Sequence, residues 1–185
     1  MKPSSRMMCA VLGAVFCLPT AVVAQSSGPA VDLVVGAGKG RGGEFGERGV
    51  LAFGIAIALR TSAAHATSIG VSADVIGAPR GDTCVIPAGG GQCLHDYPNM
   101  LAVGVEVGRN ARVARYLDAE LFGVLGGSWF DRPTMRALLV GGGLRVVGRI
   151  ISHVAMVASV RALVSPNTSA GTLWVAPVTV GIRLR

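Results

Sequence analysis

The sequence of 185 residues has few lysines, few aromatic residues and little charge of either sign. Lys2 and Lys39 are its only lysines, aromatic residues make up 5% of the chain, and charged residues make up 15%. A soluble domain normally carries charge on about a quarter to a third of its surface residues. This composition therefore argues against an ordinary soluble domain. The net charge of +7 comes from scattered arginines, which argues against a nucleic-acid-binding patch.

Long hydrophobic runs are missing beyond the N-terminus. After residue 24 no segment reaches about 18 consecutive apolar residues, so the sequence predicts no membrane-spanning helix. The first 24 residues combine a basic start, a short apolar run and small residues before Gln25, which is typical of a secretory signal. We expect cleavage between Ala24 and Gln25, leaving residues 25–185 as one domain.

Large and small residues alternate instead, as in the stretch GVLAFGIAIALR. A period of two residues is typical of a β-strand, and about ten tilted residues are enough to cross a bilayer. The alternation recurs in eight segments. They are Val31–Ala37, Gly49–Arg60, Thr67–Gly77, Met100–Gly108, Tyr116–Gly126, Met135–Arg145, His153–Val164 and Leu173–Leu184.

The connections between these segments differ in length on alternate sides. Those after the odd-numbered segments are longer or richer in turn residues: Gly38–Arg48, Ala78–Asn99, Gly127–Thr134 and Ser165–Thr172. Long loops on one side and short turns on the other are typical of bacterial outer-membrane barrels. An even number of strands also places both termini on one side.

The charged residues within the segments all fall on the face opposite the large apolar residues. They are Asp32, Arg60, Asp74, Glu106, Asp118, Glu120, Arg145, Arg161 and Arg183. A narrow interior tolerates charges where opposite signs meet. If the chain starts on the periplasmic side, the strands carrying Arg60 and Arg183 flank the strand of Asp32. We therefore expect an internal ion-pair cluster at the periplasmic end; solvated charges on a soluble barrel are the alternative.

The other face of the segments is predicted to contact lipid. Its candidate residues are Leu51, Phe53, Ile55, Ile57, Leu101, Val103, Val105, Val178, Val180 and Ile182. We expect Trp129, Phe130 and Trp174 to form part of an aromatic girdle at the outer rim. Eight strands enclose only enough room for side chains, so the sequence predicts no open pore.

With its signal, its eight alternating segments, its loop asymmetry and its final APVTVGIRLR, the chain resembles the small eight-stranded outer-membrane β-barrel family of the outer membrane protein A and X type. The resemblance implies an all-β fold: an antiparallel up-and-down transmembrane barrel with a packed polar interior. It also implies insertion by the barrel assembly machinery, contact with outer-membrane lipids, and a structural or surface-interaction role through the extracellular loops. Lys39, Arg41 and Arg48 are candidates for contact with lipopolysaccharide phosphates.

Cys84 and Cys93 bracket VIPAGGGQ in the longest connection. Two nearby cysteines usually pair in an oxidising compartment, so we expect a disulfide that braces this loop, with two free thiols as the alternative. The spacing around the cysteines does not fit a metal site. The glycine-rich stretch GAGKGRGGEFGERG lacks the residues of a phosphate-binding loop. We therefore expect no metal and no cofactor.

Two other functions remain open at this point. A barrel enzyme acting on lipid A or phospholipids needs a nucleophile and a base, and the three histidines His65, His95 and His153 show no such pairing. We expect no enzyme. A secreted soluble barrel that binds an apolar ligand would instead point its large residues into the lumen.

Overall fold

The computed structural model describes residues 28–42, 46–60, 67–77, 83–85, 92–94, 99–130, 136–168 and 171–185. The predicted signal segment, residues 1–24, lies outside this range. The described strands are β1 (Gly28–Gly42), β2 (Gly46–Arg60), β3 (Thr67–Gly77), β4 (Thr83–Val85), β5 (Gln92–Leu94), β6 (Asn99–Ala114), β7 (Leu117–Phe130), β8 (Arg136–Arg149), β9 (Val154–Thr168) and β10 (Gly171–Leu184). No helix in the described segments is long and apolar enough to cross a membrane.

Eight of these strands form a closed antiparallel barrel in the order β1-β2-β3-β6-β7-β8-β9-β10, and β10 pairs with β1 to close it. This confirms the predicted eight-stranded up-and-down barrel. β1 begins and β10 ends on the same side, where Val31 lies opposite Leu184. We call this side the terminal end and the opposite side the far end.

Most strands are longer than the sequence pattern predicted. β3 has the predicted bounds, but β1 continues to Gly42 and β6 to Ala114. The predicted contrast in loop length is therefore wrong for three of four far-end connections. The far-end connections 43–45, 131–135 and 169–170 have three, five and two residues. The terminal-end connections 61–66, 115–116 and 150–153 have six, two and four, so the two sides overlap in length. Glycine-rich segments that look like loops instead continue the backbone ladder, as where Gly40 pairs with Arg48.

The connection of residues 78–98 is the long one, and it joins β3 to β6 at the far end. It contains β4 and β5, which pair with each other outside the barrel sheet. Cys84 and Cys93 lie directly opposite each other in this hairpin.

Side chains alternate between the lumen and the outer wall along every barrel strand. In β2, Ala52, Ala56 and Ala58 are buried, whereas the intervening Phe53 and Ile57 are exposed. The period of two residues in the sequence is therefore the period with which strand side chains change faces. The core of the protein is the inside of the barrel.

The lumen has an apolar far half and a charged terminal half. One buried cluster fills the far half: Val50, Ala52, Ile76, Met100, Ala102, Phe122, Val124, Phe130, Leu139, Leu163, Leu173 and Val175. The polar interior implied by the resemblance is therefore wrong for most of the far half, where the buried Ser128 and Ser165 form a hydrogen-bonded polar pair. Large apolar residues such as Leu139 and Leu163 occupy the same inward positions that carry charge nearer the terminal end.

Candidate functional site

Arg145 is the centre of the charged network in the terminal half of the lumen. It projects inward from β8 with 1% of its side chain exposed. Its Nη2 donates to Glu106 Oε2 at 2.7 Å and its Nη1 to Glu120 Oε2 at 3.1 Å. Its Nε lies 3.4 Å from Asp32 Oδ2. One guanidinium group thus contacts carboxylates from three other strands, which ties β1, β6 and β7 to β8.

Arg145 also marks the boundary between the two halves of the lumen. Its guanidinium carbon lies 4.4 Å from the centroid of the Phe122 ring, and that of Arg161 lies 5.7 Å from the same centroid. A cation over an aromatic face is favourable, especially when it is removed from water. Phe122 belongs to the apolar cluster, so its ring joins the apolar half to the charged half.

Asp32 and Arg183 form a second buried pair across the β1–β10 contact. Arg183 Nε donates to Asp32 Oδ1 at 2.5 Å, and Nη2 donates to Oδ2 at 2.6 Å. Two parallel hydrogen bonds between a guanidinium and a carboxylate are among the strongest charged contacts in proteins. Both side chains are almost fully buried.

Arg60 does not lie beside Asp32 as the sequence predicted. The register pairs Asp32 with Ala56 and places Arg60 opposite Gly28, four residues further toward the terminal end. The side chain of Arg60 lies outside the described residues. The second arginine that contacts Asp32 is Arg145, which reaches it from β8 across the lumen.

Asp74 and Arg161 form the ion pair nearest the apolar half. Arg161 Nη1 donates to Asp74 Oδ2 at 2.6 Å and lies 3.9 Å from Glu106 Oε1. Gly54 on the neighbouring strand leaves the space for this carboxylate, because a Cβ at Gly54 would overlap Asp74 Oδ1. The small inward residues in the sequence thus make room for long charged side chains.

Asp118 lies at the terminal mouth of the lumen, where three further arginines contact it. Arg149 Nη2 is 3.1 Å from Oδ2, Arg112 Nε is 3.5 Å from Oδ1, and Arg185 Nη2 is 3.8 Å from Oδ2. Arg112 and Arg149 lie beyond the predicted strand ends at Gly108 and Arg145, although β6 and β8 include them. Arg185 directly follows β10, which ends at Leu184 as predicted. The same alternation, continued past the predicted ends, would have placed Arg149 on the face of Arg145 and Arg185 on that of Arg183.

Eight of the nine charges predicted to face the interior are therefore described in the lumen, and all eight are buried. Glu120 receives a short hydrogen bond from Ser68 in addition to its contact with Arg145. Ser159 and Thr179 share a hydrogen bond of 2.7 Å between β9 and β10. The terminal half is thus a connected network of ionic and neutral contacts.

The ten residues predicted to face lipid all lie on the outer wall. Nine of them are exposed, and Val103 is half-buried: Leu51, Phe53, Ile55, Ile57, Leu101, Val103, Val105, Val178, Val180 and Ile182. Trp129 and Trp174 also face outward, but the expectation that Phe130 joins them is wrong. β7 extends through Phe130, and the alternation turns this ring into the apolar cluster.

The described residues offer little for catalysis or metal binding. His153 lies in the exposed turn before β9, while His65 and His95 fall outside the described residues. No group of three or more His, Cys, Asp and Glu side chains suited to a metal ion occurs in the part of the chain that the structure describes. The side chains of Cys84 and Cys93 fall outside the described set, so their disulfide stays a prediction.

No protein-family model and no curated protein sequence matches the chain. Among solved structures, Neisserial surface protein A is similar with a TM-score of 0.68 at 10% identity, over 86% of this chain and 99% of that one. A de novo designed transmembrane β-barrel matches with a TM-score of 0.48 at 14% identity, over 88% and 98%. The attachment invasion locus protein of Yersinia pestis, Ail, matches with a TM-score of 0.45 at 16% identity, over 86% and 100%.

The closed barrel, its inward charges and its apolar outer wall define an eight-stranded barrel of the transmembrane type. The likeness to Neisserial surface protein A places its fold among the small eight-stranded outer-membrane β-barrels. This confirms, for the fold, the resemblance read from the sequence.

Proposed function

We propose that this chain is an integral barrel of the bacterial outer membrane, closed to solutes, which acts through the segments at its far end. The observation that carries the proposal is its outer wall. Large apolar side chains cover that wall, with Phe53 61% and Leu51 57% exposed, while the charges in the middle of the strands point into the lumen. A soluble barrel that binds an apolar ligand would have the opposite distribution.

The height of the apolar wall suits a bilayer. Along β10 it runs from Trp174 to Leu184, which at about 3.3 Å per residue and a tilt of roughly 45° spans about 23 Å. The apolar band of outer-membrane barrels is about 25 Å tall. Trp174 and Trp129 lie toward the far end of this wall, the position of an aromatic girdle.

The filled lumen supports a role other than that of a pore. The apolar cluster occupies the far half, and the ion pairs occupy the terminal half. An ion that crossed the far half would lose its hydration and meet few polar groups, chiefly the paired hydroxyls of Ser128 and Ser165, which is costly. We expect no unitary conductance in planar bilayers, and a stable conductance from the purified barrel would contradict the closed state.

The far end carries the features suited to surface interaction. The connection of residues 78–98 lies there, and Lys39 and Arg41 are exposed on the outer face of β1. Arg41 pairs in register with Trp174, so cationic and aromatic side chains meet at the rim of the apolar wall. If the chain is exported by its predicted signal, with the terminal end in the periplasm, this rim faces lipopolysaccharide phosphates.

Fractionation of the expressing cells tests the location. We expect the protein in the outer-membrane fraction, extractable only with detergent and migrating differently on gels before and after heating. Recovery as a soluble periplasmic protein would contradict the proposal.

A paired substitution tests the lipid contact. Lys39→Gln with Arg41→Gln should lower the lipopolysaccharide that co-purifies, measured by native mass spectrometry, by several-fold. Arg115→Gln, an exposed arginine in the turn at the terminal end, is the matched control. Equal amounts of bound lipopolysaccharide on the wild type, the double variant and the control would show that the far-end cations do not contribute to lipopolysaccharide binding.

A further inference from the structure

Two turns at the terminal end carry large apolar side chains on their surface. In the turn between β8 and β9, Ile150 and Ile151 are 60% and 62% exposed. Val113 and Tyr116, at the turn between β6 and β7, are exposed to a similar degree. Turns that face water are normally polar. Removal of these side chains from water would be favourable, which indicates that the two turns contact something other than solvent.

The two turns lie side by side on neighbouring strands. The backbone N–H of Arg149 donates to the carbonyl oxygen of Tyr116 at 2.8 Å, which continues the pairing of β7 with β8 up to the turns. Val113 and Ile150 continue the outward-facing positions of β6 and β8, so they prolong the apolar outer wall. We call this surface the terminal patch, and it consists of Val113, Arg115, Tyr116, Ile150 and Ile151.

The terminal patch extends the wall toward the terminal end. Arg109 is the last residue of β6 that pairs with β3, and β6 continues past it through residues 110–114. At about 3.3 Å per residue and a tilt of roughly 45°, these five residues project about 12 Å. The headgroup layer of a bilayer is about 5–8 Å thick on each side of the hydrocarbon core. The patch therefore reaches the depth of the headgroups if the wall above it spans the core.

Arg115 gives the terminal patch a positive charge. Its side chain is exposed, and its guanidinium carbon lies 5.2 Å from the centroid of the Tyr116 ring, which is a favourable cation–π contact. Residues 113–116 and 150–153 contain no Asp or Glu in their sequence. Asp118, the nearest carboxylate along β7, is buried in the lumen. A tyrosine ring beside a cation and apolar side chains is the combination that suits a membrane interface.

We propose that the terminal patch binds anionic phospholipid headgroups in the leaflet at the terminal end. Val113, Ile150 and Ile151 pack against the glycerol region and the upper acyl chains, and Arg115 pairs with the headgroup charge. Two observations select a lipid surface as the occupant: the patch is continuous with the apolar wall, and its charge is complementary to anionic lipid. The inference rests on the membrane location proposed above but concerns the end opposite the surface-interaction region.

Methyl NMR of the isoleucine-labelled barrel in phosphatidylglycerol nanodiscs tests the contact. We expect nuclear Overhauser cross-peaks from the δ1 methyl groups of Ile150 and Ile151 to headgroup and glycerol protons of the lipid. Ile55 on the outer wall should show cross-peaks to acyl chains, and Ile76, which is buried in the lumen, should show none to lipid. Cross-peaks from Ile150 and Ile151 to water alone would overturn the proposal and favour a protein partner for the patch.

Nanodiscs with an increasing fraction of phosphatidylglycerol in phosphatidylcholine test the role of charge. The readout is the chemical shift of the Ile150 and Ile151 methyl groups. Loss of one basic side chain near an anionic surface weakens its attraction to that surface by about fivefold. Arg115→Gln should therefore raise the phosphatidylglycerol fraction that gives half of the shift by about fivefold. Arg41→Gln at the far rim is the matched control and should leave this fraction unchanged. Equal titration curves for the wild type and Arg115→Gln would overturn the proposal.

The Ile55 methyl group separates this inference from the proposed membrane location. If Ile55 contacts acyl chains whereas Ile150 and Ile151 contact no lipid, the proposed role of the terminal patch is wrong and the membrane location stands. If Ile55 contacts no acyl chain either, the barrel does not span the bilayer and both proposals are wrong.

Discussion

Asp32 on the first barrel strand and Arg183 on the last lie directly opposite each other, joined by contacts of 2.5 and 2.6 Å. They are 151 residues apart in the chain, so the pair forms only when β1 and β10 meet. The two side chains are buried together with Arg145 as a second cation beside Asp32. This contact therefore fastens the one strand pairing that closes the barrel.

Asp32→Asn should lower the free energy of unfolding by about 3–5 kcal/mol, because it leaves two buried arginines without this counter-charge. Urea unfolding of the barrel in lipid vesicles measures the change. Ser159→Ala, which removes a buried neutral hydrogen bond to Thr179, is the control and should cost only about 1 kcal/mol.

The double variant Asp32→Asn with Arg183→Gln shows whether the loss comes from the pair. Its loss in free energy of unfolding should be at least about 1 kcal/mol smaller than the sum of the losses of the two single variants. The reason is that each single variant leaves a charged partner buried alone, whereas the double variant removes both charges of the pair. Simple additivity would mean that the two side chains act independently.

Gly54→Ala should destabilise the barrel by about 1–3 kcal/mol, the usual cost of overpacking. The added methyl group would overlap the Asp74 carboxylate and push it away from Arg161. Gly148→Ala is the matched control, since a Cβ at Gly148 meets no atom within 4 Å. Thermal unfolding in detergent compares the two, and equal melting temperatures would contradict the role of Gly54 as space for Asp74.

Val105→Arg should cost about 2–4 kcal/mol in lipid, whereas Val113→Arg should cost about 0–1 kcal/mol. Both valines face outward from β6, with exposures of 50% and 63%. Val105 lies between Val71 and Leu125 in the middle of the wall. Val113 lies beyond Arg109, the last residue of β6 that pairs with β3, and so nearer the terminal edge of the wall. Unfolding from vesicles measures both, and similar losses would place the membrane elsewhere.

Cys84 and Cys93 should form a disulfide in protein isolated from an oxidising compartment. Residues directly opposite in an antiparallel pair have Cα atoms about 4.5–5.5 Å apart, within the range that a disulfide spans. Mass spectrometry of peptides prepared without reduction should detect the cross-link. Cys84→Ser with Cys93→Ser should leave the barrel's Tm unchanged but speed proteolysis of the 78–98 connection. Quantitative labelling of both thiols in the native protein would contradict the pairing.

The alternation in the sequence was enough to predict the barrel and the face on which its charges lie. In β2 the sequence pattern alone assigns Phe53 to the outer face and Gly54 to the inner face, as in the structure. Large apolar side chains suit the lipid-facing wall, whereas a narrow lumen has room only for small ones. Strand ends were harder to predict, because glycine-rich segments such as the end of β1 read as turns until a paired strand is known.

Contacts across the lumen could not be predicted from the sequence. Arg60 was expected beside Asp32, but strand tilt and stagger shift the register so that Ala56 takes that place. Arg145 reaches Asp32 from the opposite wall, and no periodicity within one strand identifies a partner there. The apolar far half was missed for a related reason, since residues such as Leu139 and Leu163 form a cluster only after several strands converge.

In the closed barrel that we propose, the far half of the lumen is filled mainly by side chains that carry no titratable group. The ion pairs of Asp32, Glu106 and Glu120 with Arg145 hold the strands of the terminal half together. The methyl groups and rings beyond Phe122 fill the far half. On this proposal, stability and impermeability depend on different halves of the lumen, and a mutation can change one while the other persists.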